Sequence, residues 1–276
     1  MAARIALALL LLLMFTGSFW AMLLVRAGPE RIWRATPARP ASDRLNLLIW
    51  LALTAAQSGL APAALGGLTT LAVNLAGGGL IVLPAQGWGL ALGAATYLMA
   101  MDLSEYVFHR AQHAIPVLWA MHSLHHSDPH FDSTTASRHF WLEPLIKSLT
   151  VWLAVGLLFK ASPTIVLLYT AAGYLNVLTH SNTRLNLGPL SWLVNTPAYH
   201  RLHHSALEAH WNCNFAALLP IYDVIFGGYR RPGRDEYPPT GLDTGERPEG
   251  PGEAVLWPLR YARLRRAAQV SLEAAP

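Results

Sequence analysis

The clustering of histidine constrains this chain more than any other feature of its sequence. Twelve histidines occur among 276 residues and none lies before position 109; eight of them fall in the motifs HRAQH at 109–113, HSLHH at 122–126 and HRLHH at 200–204. Helix residues four apart share a face, so His109 and His113 can address one ion. In each HxxHH motif the adjacent histidines diverge around the helix, so they can serve two different ions.

With His180, which follows the second apolar block, the chain offers nine candidate imidazole ligands. This number exceeds what one metal ion takes, and it suits two ions a few Å apart with open positions. The candidate ligands are His109, His113, His122, His125, His126, His180, His200, His203 and His204. His130 and His210 lie outside the repeated spacing, and we expect neither to be a ligand. The role of His139 stays open.

The type of ligand narrows the chemistry without naming the metal. Imidazole is compatible with zinc, copper, iron and nickel alike. The zinc-hydrolase motif HExxH is absent, because Arg-Ala-Gln separates His109 from His113, and hydrolysis is therefore not favoured. The single cysteine, Cys213, excludes an intramolecular disulfide and a cysteine-bound iron–sulfur cluster.

Hydropathy predicts an all-α integral membrane protein. The chain is 53% hydrophobic and 13% charged, with a mean hydropathy of +0.31. Residues 5–25 carry no charge and are long enough for a retained membrane helix. We expect further helices near 45–64 and 87–108 and a shorter helical hairpin within 144–177, which makes about four to five membrane-embedded helices. A cytosolic helical cap would carry the histidine-rich dimetal site.

Arginine sets the expected orientation and domain limits. Five arginines lie in 26–44 and eight from position 230 onward, so the positive-inside rule places both segments and the histidines on the cytoplasmic side. The predicted domains are 1–44 (a membrane helix and basic loop), 45–230 (a membrane-embedded domain that carries the histidine motifs) and 231–276 (a basic tail). No basic helix with interleaved polar base-reading residues occurs, so nucleic acid is not an expected partner.

The motifs together resemble the fatty acid hydroxylase/sterol desaturase superfamily of membrane di-iron enzymes. The resemblance covers about residues 95–230, and the NTPxxHRxHH and IYDxIFGxY pieces are most similar to its alkylglycerol monooxygenase-like branch. The matching segments are Dx6HRxxH at 102–113, HSLHHSDPHFDSTTASRHFWLE at 122–143, THSN at 179–182, NTPAYHRLHHS at 195–205 and NFAALLPIYDVIFGGY at 214–229.

The resemblance implies an O2-dependent di-iron oxidoreductase that hydroxylates or desaturates a lipid such as a sterol, fatty acyl chain or alkylglycerol. The nine histidines would hold two Fe ions, and His139 would be a neighbour or an occasional ligand. Asp102 and Glu143 would orient ligand histidines, although a polar boundary role is equally compatible. Asn195 and Asn214 would bond ring nitrogens or fix loops. A separate electron donor is implied: a ferredoxin, a cytochrome b5-like protein or a reduced pterin.

Two other classes of protein remain open from the sequence. The first is a non-catalytic membrane protein that binds or transports metal, although transporters place ligands within their spans and these histidines lie between apolar blocks. The second is a membrane-bound zinc enzyme or a desaturase acting on an acyl carrier. Metal analysis separates zinc from iron, and oxygen consumption with a reductant separates an enzyme from a transporter.

Overall fold

The computed structural model describes residues 40–58, 69, 72–73 and 75–273. Their fold is helical, as predicted, with one short parallel strand pair between β1 (Ile81–Val82) and β2 (Phe159–Lys160). The α-helices are α1 (Pro40–Ser58), α2 (Gly87–Ala114), α3 (Pro116–His126), α4 (Glu143–Lys147), α5 (Leu153–Leu158), α6 (Pro163–Gly173), α7 (Leu175–Thr179), α8 (Pro197–His203), α9 (Ile221–Phe226), α10 (Pro251–Val255) and α11 (Trp257–Glu273).

The predicted membrane helices are seen in part. The segment 5–25, most of the basic loop 26–44 and the end of the helix near 45–64 lie outside the described residues, while α1 covers the start of that helix. Among the described residues, no helix combines the length and the apolar character needed to cross a membrane. The predicted division into three domains stays a prediction.

The break between α2 and α3 lies next to two of the histidine motifs. Ile115, which precedes Pro116, has an extended backbone (φ −99°, ψ 118°), and a residue before proline is disfavoured in a helix. Proline itself is tolerated at the first helical position, so α3 restarts at once. The chain therefore bends between His113 and His122, and the two motifs face each other.

The apolar block that follows forms the predicted helical hairpin. Helix α4, a single π turn (Ser148–Trp152) and α5 make the first arm, and α6 makes the second. Ser162 caps α6 by accepting a hydrogen bond from the backbone N–H of Ile165 at 3.3 Å. Val151, Val155 and Ile165 pack on Met101 of α2, which fixes the hairpin beside the histidine-bearing end of α2.

A second apolar core joins the ends of the described chain to α3. Leu45 of α1, Met121 and Leu124 of α3, and Trp257 and Tyr261 of α11 are buried in one cluster. The C-terminal segment thus packs directly against the helix that carries the HSLHH motif.

Buried polar contacts fix the loop that follows this motif. Asp128 accepts a hydrogen bond from Asn46 at 2.9 Å and another from Thr135 at 2.9 Å, and its carboxylate lies 3.6 Å from the Arg138 guanidinium. Arg138 in turn donates to the backbone oxygen of Leu124 at 3.1 Å. Since all these groups are buried and paired, the loop is tied both to α1 and to the last turn of α3.

Candidate metal centre

The candidate ligand histidines come together in two groups of ring nitrogens, although they come from four separate segments of the chain. Within each group the potential ligand atoms lie within 4.8 Å of one another. The five-histidine group contains His109, His113, His122, His126 and His203, and the four-histidine group contains His125, His180, His200 and His204.

Helix periodicity explains how the residues divide. His109 and His113 lie one turn apart on α2 and enter the same group. In α3, His126 enters the five-histidine group and His125 enters the four-histidine group. The HRLHH motif of α8 divides in the same way, with adjacent histidines on different sides. The local spacing therefore arranges the side chains as the sequence predicts.

The Nε2 atoms converge at distances that a metal ion would require. His109 Nε2 lies 3.1 Å from His122 Nε2 and 3.0 Å from His203 Nε2. In the other group, His180 Nε2 lies 3.2 Å from His125 Nε2 and 3.0 Å from His200 Nε2. Two nitrogens bound at right angles to one ion, with bonds of about 2.1 Å, lie about 3.0 Å apart. The spacing fits shared coordination.

Backbone carbonyls orient three of the histidine rings. Two of these rings belong to the five-histidine group and one belongs to the four-histidine group. Nδ1 of His109 donates to the oxygen of Phe215 at 2.7 Å, and Nδ1 of His203 donates to the oxygen of Cys213 at 2.8 Å. Nδ1 of His180 donates to the oxygen of Asn176 at 2.7 Å. A neutral ring that is protonated at Nδ1 carries its lone pair on Nε2, which is the atom facing the group.

Several other ring nitrogens have no hydrogen-bond partner although they are buried. These include Nε2 of His113, His126 and His204. A buried polar atom without a partner is costly in a folded protein, and each such atom calls for an explanation. Because these histidines belong to the two groups, a cation bound through Nε2 would satisfy these atoms.

The imidazoles are in the protonation state that metal binding needs. Burial lowers the pKa of His203 and that of His180 to about 3. Burial also lowers the pKa of His126, and neighbouring imidazoles add a smaller effect in the same direction. The rings are therefore neutral at physiological pH, and a neutral imidazole offers a free lone pair to a metal.

Glu143 forms hydrogen bonds at one edge of the five-histidine group. Its carboxylate accepts from Nδ1 of His122 at 3.2 Å, from Nδ1 of His139 at 3.4 Å and from Gln112 at 2.7 Å. Burial alone would raise its pKa, but the hydrogen bonds from the two histidines keep the pKa of Glu143 well below its usual range. An anionic Glu143 thus orients His122, as the sequence predicts.

Asp102 does not orient a histidine, so that expectation is wrong. Its two carboxylate oxygens accept from the backbone N–H groups of Leu218 at 3.0 Å and Leu219 at 2.9 Å. The buried carboxylate therefore attaches α2 to the loop after HRLHH. It acts on the site only through the position of that loop.

The remaining histidines and asparagines lie around the two groups. His139 stacks on His125 with ring centroids 4.5 Å apart and joins neither group, although its Nδ1 reaches Glu143. His210 lies within hydrogen-bond distance of Ser205 and Glu236 and belongs to neither group. Asn195 donates to the oxygens of Ala216 and Ala217, and Asn214 to that of Tyr199. Both asparagines fix loops rather than rings.

Sequence reasoning missed the residue that organises the carbonyl-bearing loop. Asp223 accepts from the backbone N–H groups of Phe215 at 3.0 Å and Ala216 at 2.8 Å, and also from the hydroxyl of Tyr199. It therefore positions the Phe215 carbonyl that binds His109. The only signal was its place inside the IYDVIFGGY segment, which carries no spacing rule of its own.

Two cavities reach the histidines. The larger, of about 460 Å³, touches both groups through His109, His122, His125, His180 and His200, and Phe108, Trp152 and Phe215 contribute apolar walls. The smaller, of about 190 Å³, touches only the five-histidine group, between Trp119 and α11. A helical frame with two groups of convergent imidazoles beside an apolar-walled cavity defines a candidate polyhistidine metal centre.

This centre lies in a domain of known family. Residues 94–228, just under half of the chain, match the family model described as fatty acid hydroxylase, so this region is a fatty acid hydroxylase domain. The prediction made from the motifs is thereby confirmed. No solved structure matches the chain at a significant level.

Curated relatives are similar to part of this chain. The alkylglycerol monooxygenase of Xenopus tropicalis is 31% identical over 48% of this chain and 29% of its own length. The ornithine lipid hydroxylase of Rhizobium tropici is 29% identical over 57% of this chain and 46% of its own length. A very-long-chain aldehyde decarbonylase of Oryza sativa subsp. indica is 29% identical over 50% of this chain and 23% of its own. The matched region therefore spans less than half of these relatives.

Proposed function

We propose that the chain is an O2-dependent di-iron oxidoreductase that hydroxylates or desaturates a lipid. The observation that carries the proposal is the division of nine histidines into two adjacent groups beside a cavity of about 460 Å³, with four pairs of Nε2 atoms that lie 3.0–3.2 Å apart. The relatives named above are a monooxygenase, a hydroxylase and a decarbonylase, which favours oxidation of a lipid.

The five-histidine group would hold one ion and the four-histidine group the other. The donor set is imidazole nitrogen throughout, a set that suits iron as well as zinc. Iron, when bound, supplies the activation of O2 that oxidation of an unactivated C–H bond requires. Hydroxylation puts one oxygen atom into the lipid and reduces the other to water, so it consumes two electrons from a separate donor. We propose a ferredoxin, a cytochrome b5-like protein or a reduced pterin as that donor.

The chain's own residues would prepare the site for this chemistry. Glu143 and the carbonyls of Phe215, Cys213 and Asn176 keep ring nitrogens aimed at the two groups. Phe108, Trp152 and Phe215 give the large cavity part of its apolar wall, which would limit the access of water to the site. A lipid chain would lie against these apolar walls, with the carbon to be oxidised facing the histidines.

We also propose that the protein is a multi-pass membrane protein with its histidines on the cytoplasmic side. An exposed apolar row on α2 supports a lipid-facing surface, because its members recur at helical spacing on one face. The row consists of Trp88, Leu92, Met99, Leu103 and Val107, which are 94%, 65%, 52%, 36% and 57% exposed.

The test compares the wild type with His125→Ala and with the matched control His210→Ala, whose histidine lies outside both groups. Lipid mass spectrometry of cells with and without the gene should reveal products shifted by the mass of one oxygen or by the loss of two hydrogens. We expect His125→Ala to lose bound iron and product formation, and His210→Ala to keep both. A purified wild type that binds metal but consumes no oxygen with reductant and lipid would favour the metal-transport alternative instead.

A further inference from the structure

An ion pair between Glu105 and Lys147 forms part of the wall of the large cavity. Lys147 Nζ lies 2.8 Å from Glu105 Oε2, and the two side chains are 35% and 18% exposed. The hydroxyl of Tyr169 donates to the other carboxylate oxygen at 2.6 Å. Glu105 and Lys147 line the same cavity as His109 and His122, so this polar cluster faces the space beside the histidine groups.

Folding stability alone does not account for a lysine at this position. An ion pair with this much exposure contributes little to stability. Burial lowers the pKa of His109 and that of His122, and the positive charge of Lys147 adds a smaller effect in the same direction. The positive charge of Lys147 would also repel a metal cation bound in the five-histidine group. Lys147 is one of only two lysines in the chain, the other being the exposed Lys160.

The hydrogen-bonding capacity of the pair indicates which polar group fits it. An ammonium group has three donors, and one of those on Lys147 faces Glu105, whose oxygens retain free lone pairs. An uncharged hydroxyl or amide can accept from Lys147 and donate to Glu105 without separating them. A carboxylate or phosphate would compete with Glu105 for the ammonium and bring a second negative charge beside it.

We propose that the Glu105–Lys147 pair binds the uncharged hydroxyl or amide of a neutral lipid and discriminates against lipids that end in a free carboxylate. The pair is a specificity determinant in the wall of the cavity, outside the set of metal ligands. The proposal rests on the proposed function and names its substrate class. It requires the charges of the pair but no bound metal, so it can be tested on metal-free protein.

The first experiment uses the two lysines as reporters. Full-length, metal-free protein in detergent is reductively methylated with hexadecanol, hexadecanamide or hexadecanoate present, and the modification of each lysine is followed by mass spectrometry. We expect hexadecanol and hexadecanamide to slow the methylation of Lys147 and to leave Lys160 unchanged. Hexadecanoate should need a concentration about tenfold higher for the same protection, which corresponds to about 1.4 kcal/mol.

The second experiment removes one charge of the pair. Glu105→Gln keeps the size of the side chain but leaves Lys147 unpaired, so hexadecanoate should become the better protecting ligand of the three. Retention of the wild-type thermal unfolding temperature controls for folding. In the metal-loaded enzyme, Lys147→Met should lower the preference for neutral substrates, whereas the matched control Lys160→Met should keep it.

Equal protection by the alcohol and the acid in the wild type would overturn the proposal, and so would an unchanged order in Glu105→Gln. Either outcome would mean that the pair only joins α2 to α4. Failure of the proposed function is a separate result, because it appears as a lack of iron or of oxidised lipid. The protection of Lys147 from methylation is measured in metal-free protein, so it depends neither on bound iron nor on the formation of oxidised lipid.

Discussion

The indole Nε1 of Trp257 donates a hydrogen bond to the hydroxyl of Ser123 at 2.9 Å, and both side chains are fully buried. Ser123 lies in α3 between His122 and His125, which belong to different histidine groups. Trp257 begins α11, outside the region that matches the family model. A segment outside that region thus supports the helix that supplies histidines to both groups.

Truncation of this indole should destabilise the protein and weaken metal binding. Trp257→Ala removes a buried aromatic side chain from the core around α3, and we expect it to lower the free energy of unfolding by about 3–5 kcal/mol. Thermal unfolding and bound iron measure the effect. The matched control Trp88→Ala, at a position that is 94% exposed, should change stability by about 0.5 kcal/mol or less. An unchanged unfolding temperature in Trp257→Ala would contradict the role assigned to α11.

Neutralising Glu143 should weaken metal binding more than folding. Glu143→Gln keeps the side-chain size but removes the anionic acceptor for Nδ1 of His122, and loss of such a partner lowers metal affinity by about 10–100-fold. Titration against a competing chelator measures this affinity. Glu236→Gln is the control, because Glu236 lies 3.1 Å from Nε2 of His210, outside both groups. Equal affinities in the two variants would disprove the orienting role.

The buried Asp128–Arg138 pair should give the protein a dependence on acid pH. Burial by itself raises the pKa of a carboxyl, but the Arg138 guanidinium and the hydrogen bonds from Asn46 and Ser42 hold the pKa of Asp128 below its ordinary value. The stabilisation is therefore fully present above about pH 4, the unfolded value, and is lost as the pH falls through the folded value.

Asp128→Asn tests this pair. At pH 7 the variant leaves a buried arginine unpaired, a change that costs about 3–5 kcal/mol. The difference in unfolding temperature between wild type and Asp128→Asn should be large at pH 7 and shrink as the pH falls below about 4. A constant difference across this range would show that the carboxylate charge is not the source of the stability.

Removal of metal should lower the thermal stability of the wild type reversibly. Bound metal stabilises only the folded state, by about 2.7 kcal/mol when the free ion is at 100 times its dissociation constant. Chelation should therefore lower the unfolding temperature, and added ferrous iron should restore it under anaerobic conditions. The double variant His126→Gln/His204→Gln, with one substitution in each group, should show a much smaller response. If chelation changed the unfolding temperature of that variant as much as that of the wild type, the stabilising metal would be bound outside the two histidine groups.

The division of neighbouring histidines between two groups could be predicted from sequence because it depends on local helix geometry. The spacing of His122, His125 and His126 already determines that their side chains diverge, whatever the rest of the fold. The contacts of Asp102 could not be predicted in this way. Its partners, Leu218 and Leu219, are more than a hundred residues away in the chain and bind through backbone N–H groups, which no side-chain pattern reveals.

The C-terminal segment shows the same limit. Its arginines predict a basic tail, but the burial of Trp257 and Tyr261 against α3 is a tertiary contact with no periodic signal. The backbone acceptors of His109 and His203 were equally invisible, because any residue type can supply a carbonyl.

Helices α3 and α8 each supply side chains to both histidine groups. On the proposed di-iron assignment, a shift of either helix would displace candidate ligands of both ions together, so neither ion could be lost or gained without a change in the environment of the other. The centre should fill as a unit during maturation of the protein, and partly loaded molecules should be scarce at equilibrium. On the same assignment, natural variation in α3 or α8 would have to satisfy two coordination shells at once, whereas a change in α2 or at His180 would have to satisfy only one.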